Sequence, residues 1–199
     1  MEGYLFHWIS WCIWIYAMFI MNRKHPFRYP LAYGVLIAIL LSTINVTIFN
    51  MNIVIAIFPL WLFACFLLAK FRGKTLIYLC ICAIIMSFSG ATFFIMALFD
   101  PFWVVIDLIW LEGIFATILT TLLVSGLWER ISIFLIGFIH AEFIYGFILN
   151  SLQIDYNVGN FLFLDGLVVS ALCISLWTGF ETAFINFQKN NQMEKEKQL

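Results

Sequence analysis

Charge is what this sequence lacks. Charged residues make up 11% of its 199 positions and hydrophobic residues 64%, whereas a soluble domain carries about 25% charged residues. That leaves too little polar surface to coat a water-soluble globule, so the composition specifies an integral membrane protein. Further absences narrow the chemistry. No Gly-rich phosphate loop, dinucleotide fingerprint or basic nucleic-acid patch occurs, and no resident cofactor is expected. The five cysteines, Cys12, Cys65, Cys80, Cys82 and Cys173, all fall within apolar stretches; neither a disulfide framework nor a metal site follows, and they read as small buried apolar residues. Asn45-Val46-Thr47 matches a glycosylation sequon, but an expected position inside a helix puts it out of reach.

The residues that are present alternate between long apolar runs and short polar breaks. The runs span 4–21, 31–49, 53–69, 75–98, 102–127, 131–149 and 161–185, each near the roughly 20 residues needed to cross about 30 Å of hydrocarbon. The expectation is an all-α bundle of about seven transmembrane helices over residues 1–187, followed by a polar tail at 188–199. Lysine and arginine fall in four clusters: Arg23, Lys24 and Arg28; Lys70, Arg72 and Lys74; Arg130; and Lys189, Lys195 and Lys197. If each run crosses once, all four lie on one side, and the positive-inside rule makes that side cytoplasmic. The N-terminus is then outside, the C-terminus inside, and the plasma membrane the expected location.

The turns are short, so consecutive helices are expected to pack as antiparallel neighbours. The first run lacks a basic leader and a small-residue cleavage site, and is expected to be retained. Tyr4, Trp8, Trp11 and Trp103 suit an outer aromatic belt, and Trp128 and Trp177 an inner one. Asp100 followed by Pro101 reads as the start of helix 5, and Pro59 as a kink in helix 3. Ser42, Thr43, Asn45 and Thr47 on helix 2, and Gly113, Ala116, Thr117, Thr120 and Thr121 on helix 5, read as packing positions.

Ionisable residues inside the runs concentrate in the last three helices. A charge at a helix centre costs about 2.5–3.5 kcal/mol on the insertion scale, so such groups face inward, pair or stay protonated. Asp107 and Asp165 lie roughly 8 Å below the outer helix ends, within reach of water, and are secondary site candidates. Glu181 lies near the inner end and can snorkel toward the cytoplasmic lysines. Glu112, His140 and Glu142 form the principal candidate site. Glu112 is about 25 Å up helix 5 and Glu142 about 20 Å up helix 6, an offset that side chains bridge; the two can share a proton or a cation, or act as polar glue. His140 and Glu142 point about 160° apart, so both cannot face one partner, and the spacing is not that of a zinc motif.

Known intramembrane chemistries can be tested against these residues. A retinal protein needs a Schiff-base lysine in its last helix, and 161–185 has none. A rhomboid-type protease needs a serine and a histidine on separate helices; Ser87-Phe88-Ser89-Gly90 with His140 departs from that pattern at the glycines flanking both residues.

A different likeness spans the full length. The Met1-Glu2-Gly3 opening into a Trp-rich helix resembles the YphA family, small multi-pass membrane proteins of Bacillus-type endospore formers. So do Leu98-Phe99-Asp100-Pro101-Phe102-Trp103-Val104 with Asp107, Phe163-Leu164-Asp165, and Trp177-Thr178-Gly179-Phe180-Glu181. The resemblance implies a sporulation-associated membrane factor linked to spore-envelope assembly, with no assigned reaction and no catalytic residues to carry over. Its expected partners are the bilayer and a membrane protein or a second copy of the chain. The alternative is a small ion- or proton-coupled permease using Glu112 and Glu142.

Overall fold

The computed structural model describes residues 3–26, 28–48, 51–100, 102 and 104–197. Among them are seven α-helices: α1 (Tyr4–Ile15), α2 (Arg28–Leu41), α3 (Ile57–Leu68), α4 (Lys74–Phe99), α5 (Leu108–Leu123), α6 (Leu127–Ser151) and α7 (Phe161–Lys197). A π-helical turn, Tyr16–Ile20, extends α1. Three short strands, β1 (Asn45–Ile48), β2 (Met51–Val54) and β3 (Asn157–Val158), complete the chain. Three helical stretches, Lys74–Phe99, Leu127–Ser151 and Phe161–Lys189, are long and apolar enough to cross a membrane.

The strands correct the all-helical expectation. The runs at 31–49 and 53–69 were read as helices on hydropathy, yet α2 stops at Leu41 and α3 starts at Ile57. Between them Ile44, Val46, Thr47, Ile48, Ile53 and Val54 are β-branched, a composition that fits a pleated surface better than a helical one. β1 and β2 pair antiparallel, with Val46 opposite Ile53. β3 joins β2 in parallel through Asn52 and Asn157. Asn45 therefore stands on an exposed strand, not inside a helix.

Other boundaries shift for local reasons. α5 begins at Leu108, with Asp107 as its N-cap accepting from the Ile109 N–H at 3.0 Å. Asp100 instead follows the end of α4 and accepts from the Phe102 N–H; Pro101 and Trp103 lie outside the described residues. Pro59 sits in the first turn of α3, where its missing N–H would have had no helical partner anyway, so an interior kink does not arise. α7 continues past 185 as helix to Lys197. The cysteines are not uniformly buried: Cys12 and Cys80 are exposed, Cys82 is buried, and all five are free thiols.

Packing differs from the neighbour-on-neighbour expectation. α4 packs chiefly on α6, α5 on α7, α3 on α6 and α1 on α7. Small residues make the first of these seams. A methyl placed on Gly90 would meet Ala141 Cβ at 2.9 Å, and one on Gly137 would collide with Met86 Cβ. Because 86 pairs with 137 and 90 with 141, α4 and α6 run parallel, with backbones in close approach as at other small-residue membrane interfaces. Around this seam lie Phe94, Phe134, Phe138, Leu79 and Ile139, all buried. The outside of the bundle is greasy: Phe19, Phe88, Leu122, Phe147 and Leu176 are all more than 60% exposed, a surface suited to lipid.

Two arginines assigned to loops are instead buried. Arg28 donates to the carbonyls of Ala17 (3.2 Å) and Met18 (2.5 Å), satisfying oxygens at the end of the π-helical turn that would lack helical partners. Arg130 is 1% exposed, in the first turn of α6, and donates to Val124 O, Thr178 Oγ1 and Glu181 Oε2, each at 2.8 Å. Glu181 thus pairs with Arg130 rather than reaching for the lysines. That arrangement ties the end of α5, the start of α6 and the middle of α7 together.

Candidate functional site

The opposite end of the bundle, away from the basic clusters, gathers the polar groups. Here α1 and α7 start, the strands pair, and the 152–160 segment folds back across α6. Gly3 precedes α1 with φ +86°, and a Cβ there would lie 2.6 Å from the Phe161 ring, so both backbone and packing call for glycine. Asp165, 2% exposed on the second turn of α7, accepts from the N–H groups of Gly3 (2.8 Å) and Phe6 (2.6 Å). It caps α1 across 162 residues of sequence, an N-cap supplied by another helix. Asp165, a candidate from sequence, is a structural cap, and so is Asp107.

Glu112 and Glu142 are both at least 97% buried, and both line one cavity of about 180 Å³. α4 supplies Phe94, Ala97 and Leu98 to its wall, α6 adds Tyr145, and the 152–160 segment adds Tyr156 and Asn160. Glu142 Oε1 accepts from the Tyr156 hydroxyl and the Gly159 N–H, each at 2.8 Å. Burial, and then the Glu142 carboxylate beside it, push the Tyr156 phenol well above its ordinary range, so this hydroxyl remains a donor. Glu112 is held differently. Its carboxyl lies over Gly166 of α7, where a methyl would stand 2.8 Å from Glu112 Cδ. Its Oε1 is buried and accepts no hydrogen bond from the described residues. Buried polar atoms without partners are uncommon and call for an explanation.

His140 is not part of this site. It is exposed on the other face of α6, with Nδ1 2.6 Å from the Ile136 carbonyl oxygen and its ring beside Trp61, as the two-residue offset from Glu142 requires. Sequence reading missed Tyr145, Tyr156, Gly159 and Asn160. Their signal was faint: Tyr156-Asn157-Val158-Gly159-Asn160 is a polar, turn-forming stretch in an apolar chain, with nothing to say that it folds back onto Glu142. Among the described residues no group of three or more His, Cys, Asp or Glu side chains is placed to hold a metal ion.

Comparison with known proteins is consistent with a membrane protein of unassigned activity. The family model described as YphA-like integral membrane protein matches residues 2–199. The uncharacterized protein YphA of Bacillus subtilis (strain 168) is 26% identical over 169 residues, covering 83% of this chain and 81% of that protein. No solved structure matches.

Proposed function

Because the chain belongs to the YphA-like integral membrane protein family, we propose that it is a non-enzymatic, multi-pass accessory factor of the plasma membrane whose working part is the Glu112–Glu142 cavity. The observation that carries this reading is the convergence of two buried carboxyl groups from α5 and α6 on one cavity. Scattered polar glue would pair each acid separately; here one acid keeps an unpartnered oxygen. We assign all seven helices as crossings, N-terminus outside. α2 and α3, of 14 and 12 residues, are only about 21 and 18 Å long, so the strands that join them belong at the outer interface. An exposed strand edge has no place in hydrocarbon.

The same acids could serve a permease, but the interior between them and Arg130 is filled by Phe134, Phe138, Ala116 and Thr120, all fully buried. That packing favours binding over passage. We take sporulation as the setting in which such a factor works, and a deletion strain as the background for the test. Glu112→Gln and Glu142→Gln should each fail to restore the missing function while reaching the membrane at normal levels. The double variant should be little worse than either alone, the signature of one shared site. Full complementation by both single variants would overturn the reading, and a defect confined to sporulation would support the assigned setting.

A further inference from the structure

The chemistry of the cavity walls narrows what it can hold. Among the described residues no lysine, arginine or histidine lines it, and two carboxyl groups repel an anion. Glu142 Oε1 is engaged by Tyr156 and Gly159, while Glu112 Oε1, on a side chain 3% exposed, has no partner among the described residues. A ligand that donates a hydrogen bond or brings positive charge would complete it. Beside the two acids the walls combine four aromatic rings with aliphatic side chains, Leu98, Leu108 and Leu162 among them, and the Asn160 amide. Phe94 and Tyr145 lie 5.7 Å apart between ring centroids, Tyr145 and Tyr156 meet edge to face at 5.0 Å, and Phe163 stands 6.3 Å from Phe94.

We infer that this cavity recognises an organic ammonium group. Resting on the site proposed above, the inference adds the class of ligand. Aromatic faces attract a cation whose substituents are apolar, as in the cages that hold quaternary ammonium and methylated lysine, and the Glu112 carboxyl supplies the counter-group. A bare divalent ion fits less well, because calcium takes six to eight oxygens and among the described residues two carboxylate side chains line the cavity. At about 180 Å³ the space is several times the roughly 30 Å³ share of one water. That is room for the ammonium and its first carbons. Its position at the proposed outer end gives two sources for the same chemistry, a soluble amine or the amine headgroup of a lipid.

Calorimetric titration of the purified protein tests this, with tetramethylammonium and ethanolamine as probes and acetate as the anion control. Both amines should bind and acetate should not. Glu112→Gln should weaken amine binding by roughly thirtyfold or more, the loss that follows removal of one member of a desolvated charge pair. Tyr145→Leu, which leaves both acids, should weaken tetramethylammonium; His140→Ala should change nothing. In nanodiscs, protein in phosphatidylethanolamine that no longer takes up ethanolamine, while protein in phosphatidylglycerol still does, assigns the lipid headgroup. Equal uptake in both assigns a soluble amine, and either result supports ammonium recognition. Absence of binding to folded wild type, or unchanged binding in Glu112→Gln, overturns the inference. If the wild type binds no amine while the glutamine variants still fail in cells, the ligand class is wrong and the site stands.

Discussion

Removing the Asp165 carboxylate should release the start of α1 while leaving the rest of the bundle closed. The side chain accepts from Gly3 N at 2.8 Å and Phe6 N at 2.6 Å, and is 2% exposed. Hydrogen bonds to a charged group contribute about 1.5–3 kcal/mol each, so Asp165→Ala forfeits roughly 3 kcal/mol even at the lower bound for two bonds. That exceeds the ~1 kcal/mol typical of an exposed N-cap, because the acceptor here is buried and water cannot readily replace it. At 1.4 kcal/mol per factor of ten, 3 kcal/mol corresponds to about a hundredfold faster opening. Hydrogen–deuterium exchange in nanodiscs reads this directly. Peptides covering the first turn of α1 should exchange about a hundredfold faster in Asp165→Ala, and by an intermediate factor in Asp165→Asn, which keeps one acceptor oxygen. Peptides from the α4–α6 seam should not change, since local opening is confined to the unit that loses its contacts. Unchanged exchange at the first turn would show that Asp165 does not hold α1 and would refute the reasoning.

Three further outcomes follow from the geometry. Reporter fusions after Lys74 and after Leu199 should both signal cytoplasm by the positive-inside rule; an external signal from either would end the seven-crossing assignment. Arg130→Met should lower thermal stability in detergent by about 3 kcal/mol or more, as expected when a buried charge network loses its hub. Glu181→Gln should cost at most about 1 kcal/mol, because Glu181 is 41% exposed and water can take its place; equal effects would mean that the ion pair alone matters. Gly137→Leu should deplete folded protein in the membrane, since its Cβ collides with Met86, whereas Gly179→Ala, with open space around it, should be neutral or stabilising by up to ~1 kcal/mol through helix propensity.

The sequence made some of this legible and hid the rest for physical reasons. Hydropathy located every helix because apolar runs are long here, but hydropathy does not distinguish a helix from a strand. The β-branched stretch from Ile44 to Val54 was therefore read as membrane helix and turn. Depth along α5 and α6 brought Glu112 and Glu142 to the same level from the turn between them, and the angular offset of His140 removed it from the pair. Neither argument carries information across space, so Asp165 reaching Gly3 and Tyr156 reaching Glu142 could not be read. Arg130 was counted by position in the chain, and its burial against Thr178 depends on a helix 48 residues away. Parallel pairing of α4 with α6 escaped for a similar reason: the short turns suggested neighbours, whereas the contacts of Gly90 and Gly137 choose the helix after next.

The seventh helix holds α1 in place. α7 caps α1 through Asp165, seats Glu112 against Gly166, and anchors Arg130 through Thr178 and Glu181. A nascent chain that has not yet added α7 therefore still has an uncapped α1, an unseated Glu112 and a buried arginine without two of its acceptors. Quality control acting on such an intermediate would meet exposed polar groups at both ends of the bundle until α7 docks, so chains interrupted before Phe161 are expected to be degraded rather than to persist as smaller bundles.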